Sequence, residues 1–324
     1  MAARPSRREF LHSTLATGAS VVMAGCAAPP RAREPTVRLS VFTDEISQDL
    51  AHALDVAREL KLNHVELRGM WGKNIIALDD REIDTVLQLL DERGLRVSSI
   101  AGPLFKVDWP GAPRSRFSPE QQQFGASFTF EQQEHVLERS LALAHRFGTD
   151  HVRCFDFWRL DDCAPFRAAI DQRLRAAADR AAEQGITLVM ENEYECNSST
   201  LAETLHTLDA VRSEHFKLNF DPGNAAFAGE VAYPDFYAAL PSGRVGHVHC
   251  KDVVRKADGG YEWTAVGRGM VDFVGLFRAL ARDGYRGAVV LETHWQGGGA
   301  PEAASRQSMA GLKEALRQAA VSWG

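Results

Sequence analysis

From residue 39 onward, short apolar or β-branched runs alternate with longer stretches in which apolar residues recur every three to four positions. The first pattern suits strands buried on both faces and the second suits amphipathic helices, so the alternation predicts βα units rather than a sandwich. Eight runs qualify as strands: 39–42, 63–67, 96–100, 151–155, 187–191, 217–220, 245–250 and 288–292. Helices are predicted after them, among them 49–60, 80–93, 130–147 and 165–184. Gly94, Gly148 and Gly185 stand at helix exits, where a left-handed residue costs least. Eight βα units over about 290 residues match a closed (β/α)8 barrel in size and count. An open doubly wound sheet would carry a Gly-rich turn after its first strand, and Phe42-Thr43-Asp44-Glu45-Ile46-Ser47 is nothing of the kind. A Pro- and Gln-containing insertion, 102–128, follows the third strand and is expected to form a lid or rim over the strand ends.

The first 26 residues follow other rules. A cationic start with Arg4, Arg7 and Arg8 leads into a weakly apolar run and then Cys26, the order of a targeting segment. Ser6-Arg7-Arg8-Glu9-Phe10-Leu11 resembles a twin-arginine export signal, and Met23-Ala24-Gly25-Cys26 resembles a lipobox whose cysteine is acylated. The expected organisation is a signal segment over 1–26, a tether over 27–36 and one barrel domain over 37–324. The protein would use the twin-arginine machinery and end exported, periplasmic or at the cell surface, held to the membrane by lipid alone. Of the other cysteines, Cys154, Cys163, Cys196 and Cys250, none forms a CxxC pair. A Cys163–Cys196 bridge is conceivable on neighbouring loops, but four small apolar fillers are favoured.

Composition narrows the partners. The 324 residues carry 37 Lys+Arg against 43 Asp+Glu, a formal net charge of −6, with no long basic run. That balance argues against nucleic acid, whose affinity rests on phosphate contacts, and leaves a small molecule as the substrate.

Charged residues recur where parallel strands finish: Glu66, Glu191, Asp221, His249 and Glu292. One such acid is more often a helix N-cap than a ligand. Several in register are different, because carboxylates buried together need a cation to avoid raised pKa values. Glu191, Asp221, His249 and Glu292 form an oxygen-rich donor set for one divalent metal ion, with Mn2+, Mg2+ or Co2+ ahead of Zn2+. His247 and His249 share a strand face, so spacing alone leaves both open; His249 lies nearer the mouth. Glu66, Arg68, Trp71, Lys73 and Asn74 cluster after the second strand in a manner suited to sugar, or to a rim salt bridge. Lys251 and Asp252 read equally well as a surface pair. Trp158, Trp263 and Trp295 are candidates for pocket walls.

These motifs, in order, resemble the sugar phosphate isomerase/epimerase group of xylose isomerase-like TIM barrels from about residue 39 to 316: TDEIS at 43, VELRGMWGKN at 65, ENEYECN at 191, FDPGN at 220, HVHCKD at 247, GRGMVDF at 267 and LETHW at 291. The resemblance implies metal ligation by Glu191, Asp221, His249 and Glu292, with Glu191 and Glu292 also catalysing proton transfer. It directs Arg255 at substrate, and Glu66, Lys73, Asn224, Lys251 and Trp295 complete the expected substrate-binding set. Two positions depart from related ketose epimerases: Asn224 stands where they carry histidine, and Asn197 where they carry glutamate. No Gly-rich anion cradle follows strands seven and eight beyond Gly267 and Gly269, so the phosphate of the group's label has no local counterpart.

The function expected is that of a divalent-metal-dependent sugar isomerase/epimerase working through an enediolate. A lyase acting on a 3-keto-glycoside, or a noncatalytic sugar-binding lipoprotein, is the alternative. A nuclease of the endonuclease IV type, with its histidine-rich trinuclear zinc site, is disfavoured by Asn224, by the histidine-free end of the third strand and by the acidic balance.

Overall fold

The computed structural model describes residues 37–119, 127–297 and 299–324; the twin-arginine segment, Cys26 and the 27–36 tether lie outside them. Eight strands run parallel: β1 Arg38–Val41, β2 His64–Leu67, β3 Arg96–Ile100, β4 His151–Cys154, β5 Thr187–Glu191, β6 Phe216–Phe220, β7 Val245–Cys250 and β8 Ala288–Leu291. Their order is β1-β8-β7-β6-β5-β4-β3-β2, and a parallel bridge between Phe42 and Glu66 brings the two edges together. A helix follows each strand: α1 Leu50–Glu59, α2 Asp80–Arg93, α3 Gln133–Phe147, α4 Arg167–Glu183, α5 Leu201–Ala210, the short α6 Pro222–Phe227, α7 Phe273–Arg282 and α8 Pro301–Gln318. The architecture is the (β/α)8 barrel that the alternation predicts. Among the described residues no helix is long and apolar enough to cross a membrane.

The period of two along each strand separates two environments. Outward residues such as Leu39, Val65, Val152, Leu188, Leu218, Val248 and Val289 join the helices in one apolar core. Inward, among the described residues, Phe42, Ala101, Ala288 and Val290 form one small apolar group. Most of the rest of the lumen is polar: Ser40 and Ser98 hydroxyls meet at 2.9 Å, Ser98 also reaches Glu66, and Arg153 reaches Glu191. The barrel is thus held mainly by its sheet–helix layer, which leaves inward positions to chemistry. The four described cysteines are free thiols, and Cys154 and Cys250 sit in the outer apolar core.

The helix exits follow expectation: Gly94 and Gly148 take left-handed φ of 60° and 66°. α3 starts three residues later than predicted because Gln133 is tied to the preceding turn, its amide oxygen accepting from Phe105 N and its amide nitrogen donating to Thr129 O. The described part of the 102–128 insertion runs beside the exit of β4, with Leu104, Phe105 and Val107 carbonyls accepting from Phe155, Phe157 and Trp158. Two short antiparallel ribbons were not anticipated, Gly69–Met70 with Lys73–Asn74 and Asp252–Arg255 with Tyr261–Thr264.

Candidate active site

At the C-terminal mouth, Glu191 ends β5, Asp221 follows β6, His249 lies on β7 and Glu292 follows β8, and one ligand-type atom from each falls within 4.8 Å of the others. All four are buried. The FDPGN segment explains how Asp221 arrives there. Its Oδ1 caps α6 by accepting from Asn224 N at 2.8 Å, Pro222 occupies the first turn, and Oδ2 is left for the site. Asp221 is therefore both a helix cap and a site residue. Gly223 permits the approach, since a Cβ there would lie 2.5 Å from the Lys251 carbonyl oxygen. Asn224 donates to Glu191 Oε1 at 3.0 Å, so it orients a carboxylate.

Lys251 is no surface residue. Its Nζ stands 3.2 Å from Glu191 Oε1, 3.1 Å from Asp221 Oδ2 and 2.9 Å from Glu292 Oε2, at the centre of the carboxylate set. Arg153 reaches Glu191 Oε2 at 3.2 Å, and Arg68 reaches Glu292 Oε1 at 2.6 Å and Asp44 Oδ2 at 2.8 Å. Against burial, Lys251 and His249 hold Glu191 well below the usual carboxylate range, and Lys251 and His294 do the same for Glu292. Burial wins at Asp221, which is raised to about 7 although Lys251 opposes it.

Glu66, expected at substrate, is instead sealed inside the barrel at 0% exposure. His247 Nε2 lies 2.7 Å from its Oε2 and His249 Nε2 3.1 Å from its Oε1. Burial would raise its pKa, but the two imidazoles hold it far below the ordinary value. With Nε2 engaged by Glu66, His249 turns Nδ1 toward Glu292 and Glu191, at 3.3 and 3.5 Å, beside the Asn219 amide at 3.0 Å. His247 stays one layer below.

Three other expected substrate contacts sit farther out. Lys73 is half exposed and paired with Glu82 of α2 at 2.5 Å, Arg255 is exposed at the end of its ribbon, and Trp295 is half-buried in the loop after β8. Lys73 and Arg255 are thereby drawn to the helix layer and to solvent, not to the carboxylates. Trp263 is nearer, with its ring centroid 5.8 Å from Lys251 Nζ; it stacks on Phe227 at 4.7 Å. Trp158 is buried under Lys106. Asp252 explains Gly267 and Gly269: its carboxylate accepts from both of their amides, each at 2.9 Å, and from Val271 and Val253, so that turn's anion is supplied by the chain itself.

Sequence reasoning passed over several groups. Arg153 is a cation at an inward position of the four-residue β4, a signal that was available. Glu45 and His294 pair at 2.7 Å behind Glu292, joining loops 249 positions apart. Lys106 and Glu193 pair at 3.1 Å, both buried, with Glu193 Oε1 lacking a hydrogen-bond partner.

A divalent cation fits this donor set. Six buried or nearly buried carboxylates, Asp44, Glu45, Glu66, Glu191, Asp221 and Glu292, face three permanent cations, Arg68, Arg153 and Lys251, and the imidazoles of His249 and His294, which still leaves fewer cations than acids. The surplus of negative charge is what a hard or borderline metal ion neutralises.

Residues 54–315 match the model of the xylose isomerase-like TIM barrel family, and the chain belongs to that family. Among curated relatives it is 33% identical to the rhizopine catabolism protein MocC of Rhizobium meliloti over 38% of this chain, a stretch that spans only 42% of that protein. It is 23% identical to the putative L-ribulose-5-phosphate 3-epimerase SgbU of Escherichia coli K12 over 68% of this chain and 83% of that one. It is 27% identical to inosose dehydratase of Lacticaseibacillus casei over 37% and 44%. Solved folds of the same kind include the IOLI protein with a bound zinc atom (TM-score 0.67, 13% identity, covering 88% of this chain and 98% of that one) and a Mycobacterium smegmatis barrel in complex with magnesium (TM-score 0.61, 21% identity, 83% and 89%).

Proposed function

We propose that the protein is a metal-dependent enzyme that removes a proton from carbon beside a sugar carbonyl and returns it, as an isomerase or epimerase. The observation that carries this reading is the convergence of Glu191 and Glu292, from β5 and β8, on one buried cation position. Two carboxylates from opposite sides of a mouth supply the two faces that proton removal and return require. Glu191, Asp221, His249 and Glu292 would hold the ion, and their oxygen-rich character favours Mn2+ over Zn2+. When bound, such an ion polarises a substrate carbonyl and acidifies the neighbouring C–H. Glu191, steadied by Asn224 and Arg153, takes the proton; Glu292, steadied by Arg68, serves the other face. Lys251 contacts the carboxylate oxygens that the ion would take; displaced from them by the ion, its ammonium would be free to donate to the oxygen on which negative charge develops.

Elimination is the second reading. The buried Lys106–Glu193 pair has no part in the first, and it offers an acid for a departing oxygen. The inosose dehydratase relative adds support to it.

Solvent deuterium separates these readings. With Mn2+ present, ketoses and 3-keto-glycosides are incubated in D2O and read by mass spectrometry: proton return should give an epimer or isomer that has gained one deuterium, whereas elimination should give an unsaturated product that has lost its leaving group and gained none in that step. Exchange should fall about 100-fold or more in Glu191→Gln or Glu292→Gln. A sugar bound tightly with neither exchange nor unsaturated product anywhere in the panel would refute catalysis and favour a sugar-binding protein.

A further inference from the structure

The barrel has a second mouth, and it is basic. Counting back along the strands by the period of two, the polar inward positions at the N-terminal end are Arg38, His64, Arg96, His151, Thr187 and Lys217, in line with inward Ser40, Glu66, Ser98, Arg153, Val189 and Asn219, while β7 and β8 contribute the apolar Val245 and Ala288. None of the six is acidic. The field is felt locally, since burial and then the Arg38 and Arg96 cations depress the His64 pKa.

A cleft of about 720 Å3 opens here, lined by Arg38, His151, Thr187 and Lys217 from the strands and by Tyr285 and Arg286 from the turn before β8. Arg38 N donates to Gly287 O at 3.0 Å, which sets Arg286 beside the start of β1. Acids also border the cleft, but they are engaged. Asp150 holds His151 at 2.6 Å, Asp283 holds Arg282 and the Tyr237 hydroxyl at 2.8 and 3.1 Å, and exposed Glu214 lies 3.9 Å from Lys217. Among the described residues neither Arg38 nor Arg286 is in ion-pair contact with a carboxylate, although Asp150 feels the Arg38 charge, and Arg38 Nε is buried with no hydrogen-bond acceptor. A guanidinium edge withdrawn from water without an acceptor is costly unless a ligand supplies one.

We propose that this N-terminal mouth is a binding site for a phosphate-group anion, held by Arg38 and Arg286 with Lys217 adding charge. Two planar donor forks and an ammonium around one cleft match the oxygens of a phosphate better than any neutral ligand. The site lies at the opposite end of the lumen from Lys251 and owes nothing to the proposed chemistry there. A free phosphate or phosphate ester and a phospholipid headgroup present the same chemistry.

Isothermal titration of the full-length protein with inorganic phosphate at low ionic strength, without added metal, is the test. One site is expected, weakened by about tenfold or more in Arg38→Gln and in Arg286→Gln and unchanged in Lys251→Met. Arg286 is exposed, so its variant remains informative if loss of Arg38 perturbs β1. Co-sedimentation with phosphatidylglycerol vesicles, lost in the same two variants, identifies the headgroup as the source; phosphate binding without vesicle binding identifies a soluble anion. Phosphate binding that survives both arginine changes but disappears in Lys251→Met places the anion at the other mouth and overturns the proposal. So does the absence of binding to phosphate and vesicles alike.

Discussion

Glu66 governs which nitrogen of His249 meets the carboxylates. It engages Nε2, leaving Nδ1 to face Glu191 and Glu292, and it does so from a position without solvent contact. Second-layer partners of metal-binding histidines typically contribute 10–100-fold to affinity. Glu66→Gln, which keeps the shape but offers one acceptor to two imidazoles, should therefore weaken Mn2+ binding by about 10-fold or more in isothermal titration, while near-ultraviolet circular dichroism stays unchanged. Full-strength binding in that variant would show that His249 is oriented by something else. The four candidate ligands were legible in the sequence because each is a charged residue ending an apolar run. Glu66 carried the same signature and was assigned to substrate, because nothing local reveals that β2 faces β7 across the lumen. Lys251 was ambiguous for a related reason: whether the residue two beyond His249 turns inward depends on α6 and its Gly223 packing over it.

Among the elements, the strands were legible to within one residue at each end, since alternation and apolar content fix them without tertiary information. The ribbons show where such reading succeeds and stops. Asp258-Gly259-Gly260 between Asp252–Arg255 and Tyr261–Thr264 is a hairpin signal that was there to be read. The other ribbon turns through Trp71 and Gly72 at φ of 54° and 72°, and tryptophan at a left-handed position announces no turn. Trp71 is also 37% exposed. Backbone strain with an exposed ring points to selection for something other than stability. Trp71→Asn should raise stability by up to about 1 kcal/mol, read as a higher midpoint in urea, and raise KM more than it lowers kcat if the ring contacts substrate. A lower midpoint would show that ring packing outweighs the strain. At the opposite rim, the His151 hydrogen bond holds Asp150 at about 2. Its folded pKa lies below the unfolded value, so its stabilisation is present above about pH 4 and is lost as pH falls through about 2. Asp150→Asn should thus lower the melting temperature at pH 7 and converge on wild type in acid. The difference should stay below about 1 kcal/mol, because the Asp150 side chain is largely exposed.

For the whole molecule, the polar lumen means that folding and metal binding compete for the same charges. Without an ion, Glu191, Asp221 and Glu292 share Lys251, and the raised pKa of Asp221 records what burying the third carboxylate costs. Removing that charge while keeping its shape should relieve the metal-free barrel: in Asp221→Asn the side-chain oxygen still caps α6, since asparagine is as good an N-cap as aspartate, and Lys251 keeps two carboxylates. The wild type should gain from metal instead. An ion bound to the folded state alone stabilises it by about 2.7 kcal/mol at a hundred times its dissociation constant. Melting curves at pH 8 should therefore cross. The metal-free variant is expected to melt at or above the metal-free wild type, and saturating Mn2+ should raise the wild type by several degrees while leaving Asp221→Asn where it was. An equal rise in both proteins would place the ion away from Asp221. A variant less stable than wild type in the absence of metal would mean that the Asp221–Lys251 contact contributes more to the fold than the surplus charge takes from it.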